Sequence, residues 1–305
     1  MLLYDNKYTG WISSVTTNGT AHITIPATGA IGKHIISVIH GADTFPYLNS
    51  QESPHPKPEF HLVYTITKGT AILPKAPILQ GLAKTSGVQP SGTGSVALVN
   101  PSTGSTNQPL DIQASNLPAG QSVKIVWQTM VGSHVTASGY ALKDIPLGNG
   151  TVDQSGALNV RLTPPSDLGG THKISIENAG GTVLASTSYT VTPTAVSMSP
   201  TKGPVGTKFN IHLLGVGWTD TSNIYTLDYD NDYMGYVCGF NSQGDVTIPM
   251  TAVGQPGWHY IDLYPAVYMG TDIKGTDDFR LPELTYTDHP GEKLPVFHFA
   301  FYVTK

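Results

Sequence analysis

Apolar and polar residues alternate in short runs along this chain, and Gly, Pro or Asn cuts the runs at regular intervals. A period of two without a convincing helical period predicts many short strands joined by turns. In the first third the runs are Met1–Asp5, Tyr8–Val15, Ala21–Ile25, Lys33–Ile39 and Phe60–Thr67, with a strong hairpin signal at Asn18-Gly19. In the middle they are Val123–Trp127, the less regular Gly139–Leu147, Ala157–Leu162, Gly170–Ile176 and Ala185–Thr192. One run occurs three times: GKHIISV at 32–38, GTHKISI at 170–176 and GWHYIDL at 257–263. A hairpin signal and a Pro precede each copy, and a run ending in Val-Thr or Ile-Thr follows it. A unit that recurs in fixed order sets the fold.

Aligning the copies exposes a difference. Leu2-Leu-Tyr-Asp-Asn-Lys-Tyr-Thr-Gly-Trp-Ile matches Leu227-Asp-Tyr-Asp-Asn-Asp-Tyr-Met-Gly-Tyr-Val, and Phe60-His61 matches Phe297-His298. The C-terminal copy has a lead-in, SPTKGPVGTKFNIHLLG from Ser199, and the middle copy has a divergent one from about Val96. The first copy has none. The expected organisation is an incomplete domain at 1–67, a linker or donated strand at 68–95, and complete domains at 96–194 and 195–305. The last carries a long loop at 269–295. A chain that starts inside a domain is expected to be either a fragment or a domain completed from elsewhere. Within 68–95 the apolar stretch Ala71–Leu82 reads either as linker or as a strand along the open edge of the first domain.

Composition narrows the class. With 305 residues there is room for about three small domains. Only 12% of residues are charged and the net charge is −5, so nothing suggests a nucleic-acid partner, which needs clustered Lys and Arg. No apolar run approaches the ~20 residues of a membrane-spanning helix. No basic leader is visible at Met1. Cys238 is the only cysteine, which excludes an intrachain disulfide; its strand-like surroundings predict a small buried side chain.

The lead-in SPTKGPVGTKFNIHLLGVGW, the G-x-H-x-I strand and the closing F-x-V-T strand together resemble bacterial and archaeal Ig-like domains, including their TIG branch. The resemblance covers 195–305 fully, 96–194 with a weaker lead-in, and 1–67 in its latter part only. It implies tandem all-β sandwiches of about seven strands each, recurring in secreted and cell-surface proteins. The inter-sheet cysteine pair of antibody domains is lacking; Tyr4, Trp127 and Tyr229 are the expected fillers of that core position.

Candidate chemistry is sparse. His34 with His61 and His259 with His298 could face each other on adjacent strands, yet the middle copy keeps His172 and has Ser186 at the second place. Zinc needs about three converging ligands, so scaffold histidines are the favoured reading. Asp228, Asp230 and Asp232 resemble a calcium loop in composition but lack its central Gly and terminal Glu; a solvated strand end competes with calcium, and no other cofactor is expected. N-glycosylation patterns at Asn18 and Asn149 coincide with Asn-Gly turn signals. No nucleophile elbow, HExxH or P-loop is present. The insertions Gly41–Glu59 and Met269–Pro295 occupy equivalent places, where sandwiches display recognition loops. Phe45, Tyr47, Tyr268, Phe279 and Tyr286 are the candidate binding residues, against the plainer reading that they pack the loops onto their own or a neighbouring domain.

These features suggest a non-catalytic extracellular or surface protein, structural or adhesive, with other protein subunits or surface polymers as partners. An open first domain adds possible self-association by strand complementation into a filament or layer. The alternative is a carbohydrate-binding accessory region of a polysaccharide-acting enzyme.

Overall fold

Strands form where the alternation places them, and they group by copy. The computed structural model describes residues 1–14, 17–39, 59–74, 95–132, 140–217, 224–266, 282–286 and 294–305. The first copy supplies β1 (Leu2–Tyr4), β2 (Lys7–Gly10), β3 (Gly32–Val38) and β4 (Phe60–Ile66), one sheet in the order β2-β1-β3-β4.

The second copy runs β5 (Val96–Asn100), β6 (Thr103–Gly104), β7 (Leu110–Ser115), β8 (Ser122–Gly132), β9 (Tyr140–Thr151), β10 (Leu158–Leu162), β11 (Gly170–Glu177) and β12 (Val183–Val191). Its sheets are β10-β7-β5 and β6-β12-β11-β8-β9. The third copy repeats this plan with β13 (Thr194–Ser199), β14 (Lys202–Gly203), β15 (Lys208–Leu214), β16 (Ile224–Tyr229), β17 (Asp232–Cys238), β18 (Val246–Thr251), β19 (Gly257–Ala266) and β20 (Phe297–Val303). There the sheets are β13-β15-β18 and β14-β20-β19-β16-β17. The chain is therefore all-β, and its described residues form two eight-stranded sandwiches and one single sheet. Among the described residues there is no α-helix, only a 3-10 turn at Phe240–Ser242.

Each sandwich closes over its own core, because alternate residues of both sheets point inward. In the second, Trp127 is fully buried with Ile112, Ile125 and Ile174 around it. In the third, Phe209 of β15 stacks on Phe301 of β20 with ring centroids 4.5 Å apart. Tyr4, Trp127 and Tyr229 do occupy the equivalent inner position, at 4%, 0% and 6% exposure. The sandwiches meet where Gly244, at φ +76°, lies against the Asp167–Leu168 backbone.

Several local expectations change. Residues 21–25 carry no strand, although Ile23 and Ile25 turn inward. Their counterpart β18 pairs with β15, and no equivalent of β15 is among the described residues of the first copy. The irregular 139–147 stretch belongs to twelve-residue β9, and Asn149 sits within that strand rather than in a turn. Asn18 is in a turn with φ 52°. Cys238 ends β17 exposed rather than buried.

Candidate interaction surface

The repeated histidine is an internal brace, built the same way three times. Its Nε2 lies against the carbonyl four residues upstream: Ala30 at 2.7 Å for His34, Leu168 at 2.8 Å for His172, Gln255 at 2.8 Å for His259. Its ring stacks on Tyr4, Trp127 or Tyr229, with centroids 5.5, 4.6 and 5.5 Å apart. The other nitrogen meets Asp5 at 2.6 Å, the Gln128 carbonyl at 2.9 Å, or Asp230 at 2.5 Å. At His34 and His259, where one acceptor is a carboxylate, the charged ring is favoured. The Ala30 carbonyl and then Asp5 raise the His34 pKa; Asp230, against the opposing effect of burial, raises that of His259.

The expected histidine pairs do not form. His34 stands opposite Tyr64, and His259 opposite Phe301. His61 instead meets Ser37 at 2.9 Å, and His298 meets Asp262 at 2.7 Å, both on the other sheet face.

The acidic run is a hairpin. Asp230 and Asn231 have φ of 52° and 63°, and Asp5 and Asn6 have 50° and 62°. Positive φ at both central residues is what a tight antiparallel hairpin requires, and Asp and Asn tolerate it. The three carboxylates do not converge. Asp230 takes the His259 ring and the Tyr260 N–H, Asp232 pairs with Lys7 at 2.9 Å, and Asp228 points to the other face of β16, 1% exposed. The solvated strand end is thus half wrong: Asp228 is buried. Among the described residues no group of three or more His, Cys, Asp or Glu is placed to hold a metal.

The first sheet grips this hairpin. Thr9 donates to the Asn231 carbonyl at 2.7 Å, Thr28 to Asp230 at 2.8 Å, and Asn231 to the Pro26 carbonyl at 2.8 Å. The end of the long loop adds a second grip. Trp11 N–H donates to the Pro282 carbonyl (2.9 Å), Leu284 N–H to the Trp11 carbonyl (3.0 Å). Leu2, Tyr264 and Leu284 fill the seam. Of the loop candidates, Tyr286 is 2% exposed, so it packs inward; Phe45, Tyr47, Tyr268 and Phe279 lie outside the described residues.

The seam buries acids that sequence reading missed. Asp228 stands directly opposite Asp262. Neither Asp228 oxygen has a hydrogen-bond partner among the described residues, nor has the buried Tyr264 hydroxyl. Burial, then the Asp262 charge, hold the Asp228 pKa well above its usual value. Burial pushes Glu283 up to about 8. The only signal in the sequence was an Asp in each of two paired strands.

The most distinctive surface is the inner face of β4. Phe60, Leu62 and Tyr64 are 55%, 58% and 45% exposed. Their counterparts Phe297, Phe299 and Phe301 are 9%, 3% and 0% exposed. Register is identical: Phe60 opposes Val38 and Tyr64 opposes His34, as Phe297 opposes Leu263 and Phe301 opposes His259. Among the described residues, what differs is the strand beside the row and the sheet that faces it.

No family model and no curated protein matches this chain. Among solved structures it is weakly similar to red sea bream transglutaminase, at 12% identity over 66% of this chain and 29% of that one, TM-score 0.21. It is likewise similar to the BSP domain of a biofilm-associated protein, at 12% identity over 68% of this chain and 31% of that one, TM-score 0.20. A structure from a chaperone–tip adhesin complex of CFA/I fimbriae matches at 13% identity over 61% of this chain and 98% of that one, TM-score 0.22. The chain spans under a third of the first two.

Proposed function

We propose that this chain is a non-catalytic structural or adhesive piece of an extracellular or surface protein, joined to other protein subunits or surface polymers through its incomplete first sheet. One observation carries this reading: a Phe-Leu-Tyr row whose counterpart in the third copy, Phe297-Phe299-Phe301, is buried lies open here, on a sheet held firmly to the third sandwich. Large exposed apolar patches on a soluble domain mark interaction sites. The low charge and the tandem sandwiches support the same reading. The test is antibody labelling of intact cells that produce the protein, with protease shaving. External labelling that shaving removes is expected; signal only after lysis overturns the proposal.

A second reading has one observation in its favour. Trp258 and Tyr302 form an edge-to-face pair, centroids 5.0 Å apart, and are 39% and 38% exposed on the outer sheet of the third sandwich. Exposed aromatic pairs suit sugar rings. A glycan array on the parent chain and on Trp258→Ala tests it; no glycan signal removes it.

A further inference from the structure

The two complete sandwiches show what normally covers the row that β4 leaves open. In the third, β14 runs parallel beside β20: Tyr302 N–H donates to the Thr201 carbonyl at 3.0 Å and Thr304 N–H to that of Gly203 at 2.9 Å. In the second, β6 runs parallel beside β12: Thr190 N–H donates to Ser102 at 2.9 Å and Thr192 N–H to Gly104 at 2.8 Å. In both, the chain then crosses to the facing sheet and lays an alternating strand over the row. That strand presents Leu110 and Ile112 in one case, and Phe209, Ile211 and Leu213 in the other, each at most 1% exposed. Among the described residues neither part has a counterpart beside β4, which is there the last strand of its sheet. The residues equivalent to Tyr302 and Thr304 are Thr65 and Thr67.

From these observations we infer that the open face of β4 is a docking site for one extended donor segment with the chemistry of the chain's own lead-ins. The donor runs parallel to β4 and accepts hydrogen bonds from Thr65 and Thr67. It then turns through Gly-Thr and places an aromatic residue on Tyr64, as Phe209 lies on Phe301, followed by alternate aliphatics over Leu62 and Phe60. The pattern is K-G-P-x-G-T-x-F-x-I-x-L. An arbitrary apolar strand lacks the turn that joins its two halves, and an antiparallel edge strand puts its carbonyls out of register. This rests on the functional reading above for its purpose and names how the join is made.

The test adds a labelled synthetic peptide copying residues 199–214 to the full chain and follows fluorescence anisotropy. Saturable one-to-one binding is expected, with slowed amide exchange at Thr65 and Thr67. Leu62→Asp in the chain, or Phe209→Asp in the peptide, is expected to weaken binding at least ~10-fold, since both sit at the centre of the contact. Leu62 is 58% exposed, so an unchanged melting temperature shows that the variant chain is folded. Absence of binding to the full chain overturns the inference. Binding only after deletion of residues 75–94 assigns the face to the chain's own segment and overturns it too. Self-association that Leu62→Asp abolishes, without peptide binding, assigns the face to a second copy and likewise overturns it. None of these failures alters surface labelling, so the functional reading stands or falls separately.

Discussion

The first and third copies share a hairpin, a histidine brace and a strand register, yet one closes a core and the other does not. Tyr4 and Tyr229 stack on His34 and His259 at the same 5.5 Å, above turns of the same conformation. The third copy adds β13, β14 and β15, and its row on β20 disappears from water. In the first copy the equivalent apolar and aromatic side chains on β4 stay wet. A brace and a register therefore hold one sheet in shape, while closing the core takes a second layer.

The sharpest way to break this contrast is to cut equivalent apolar side chains. Phe209→Ala is expected to lower the third domain's stability by about 3–5 kcal/mol, whereas Leu62→Ala changes it by less than about 0.5 kcal/mol. Urea unfolding of both variants measures the gap. An equal cost would mean that the β4 row is already covered.

Next in size is the seam between the two copies. Asp228→Asn is expected to stabilise the chain by about 1–3 kcal/mol near neutral pH, because a buried carboxylate without partners is costly. Folded Asp228 and Glu283 hold their protons to higher pH than in the unfolded chain. Their contribution is therefore fully present below the ordinary carboxylate range and is lost as pH rises; for Glu283 the window is from 4.5 to about 8. A thermal-melting series over that range should slope downward, and less so in Asp228→Asn. A flat parent profile would show that the seam does not bury these acids.

The braces come third. Both histidines have raised folded values, so their stabilisation is present below 6.5 and fades as pH climbs through the folded pKa. His259→Gln should cost about 1 kcal/mol at pH 6 and less at pH 9. A constant penalty would make the brace purely steric. Smallest is Lys7→Met, expected to shift stability by less than about 0.5 kcal/mol, as for other exposed pairs. A larger loss would give the Lys7–Asp232 pair a part in holding the copies together.

Much of the fold was legible because strand alternation and turn chemistry are local. The recurrence of G-x-H-x-I aligned the copies. Residues 21–25 show where local reading stops: the alternation is present, but a strand needs a partner for its ladder, and none is there among the described residues. The histidine pairing failed for a related reason. His34 and His61 lie on adjacent strands but fell on opposite faces because the register offsets them by three residues. Asp228 reads as a wet strand end until the neighbouring copy is laid over it.

By itself, then, the sequence determined the all-β class, the repeated unit, and the hairpin turns at Asp5-Asn6 and Asp230-Asn231. Each follows from side-chain period or from residues that tolerate positive φ. Only the tertiary structure decided that the first sheet clasps the third sandwich by its hairpin, that Asp228 and Glu283 are buried in that seam, and that Phe60, Leu62 and Tyr64 remain open. Burial depends on what lies across the gap, and residues far apart in the chain decide that.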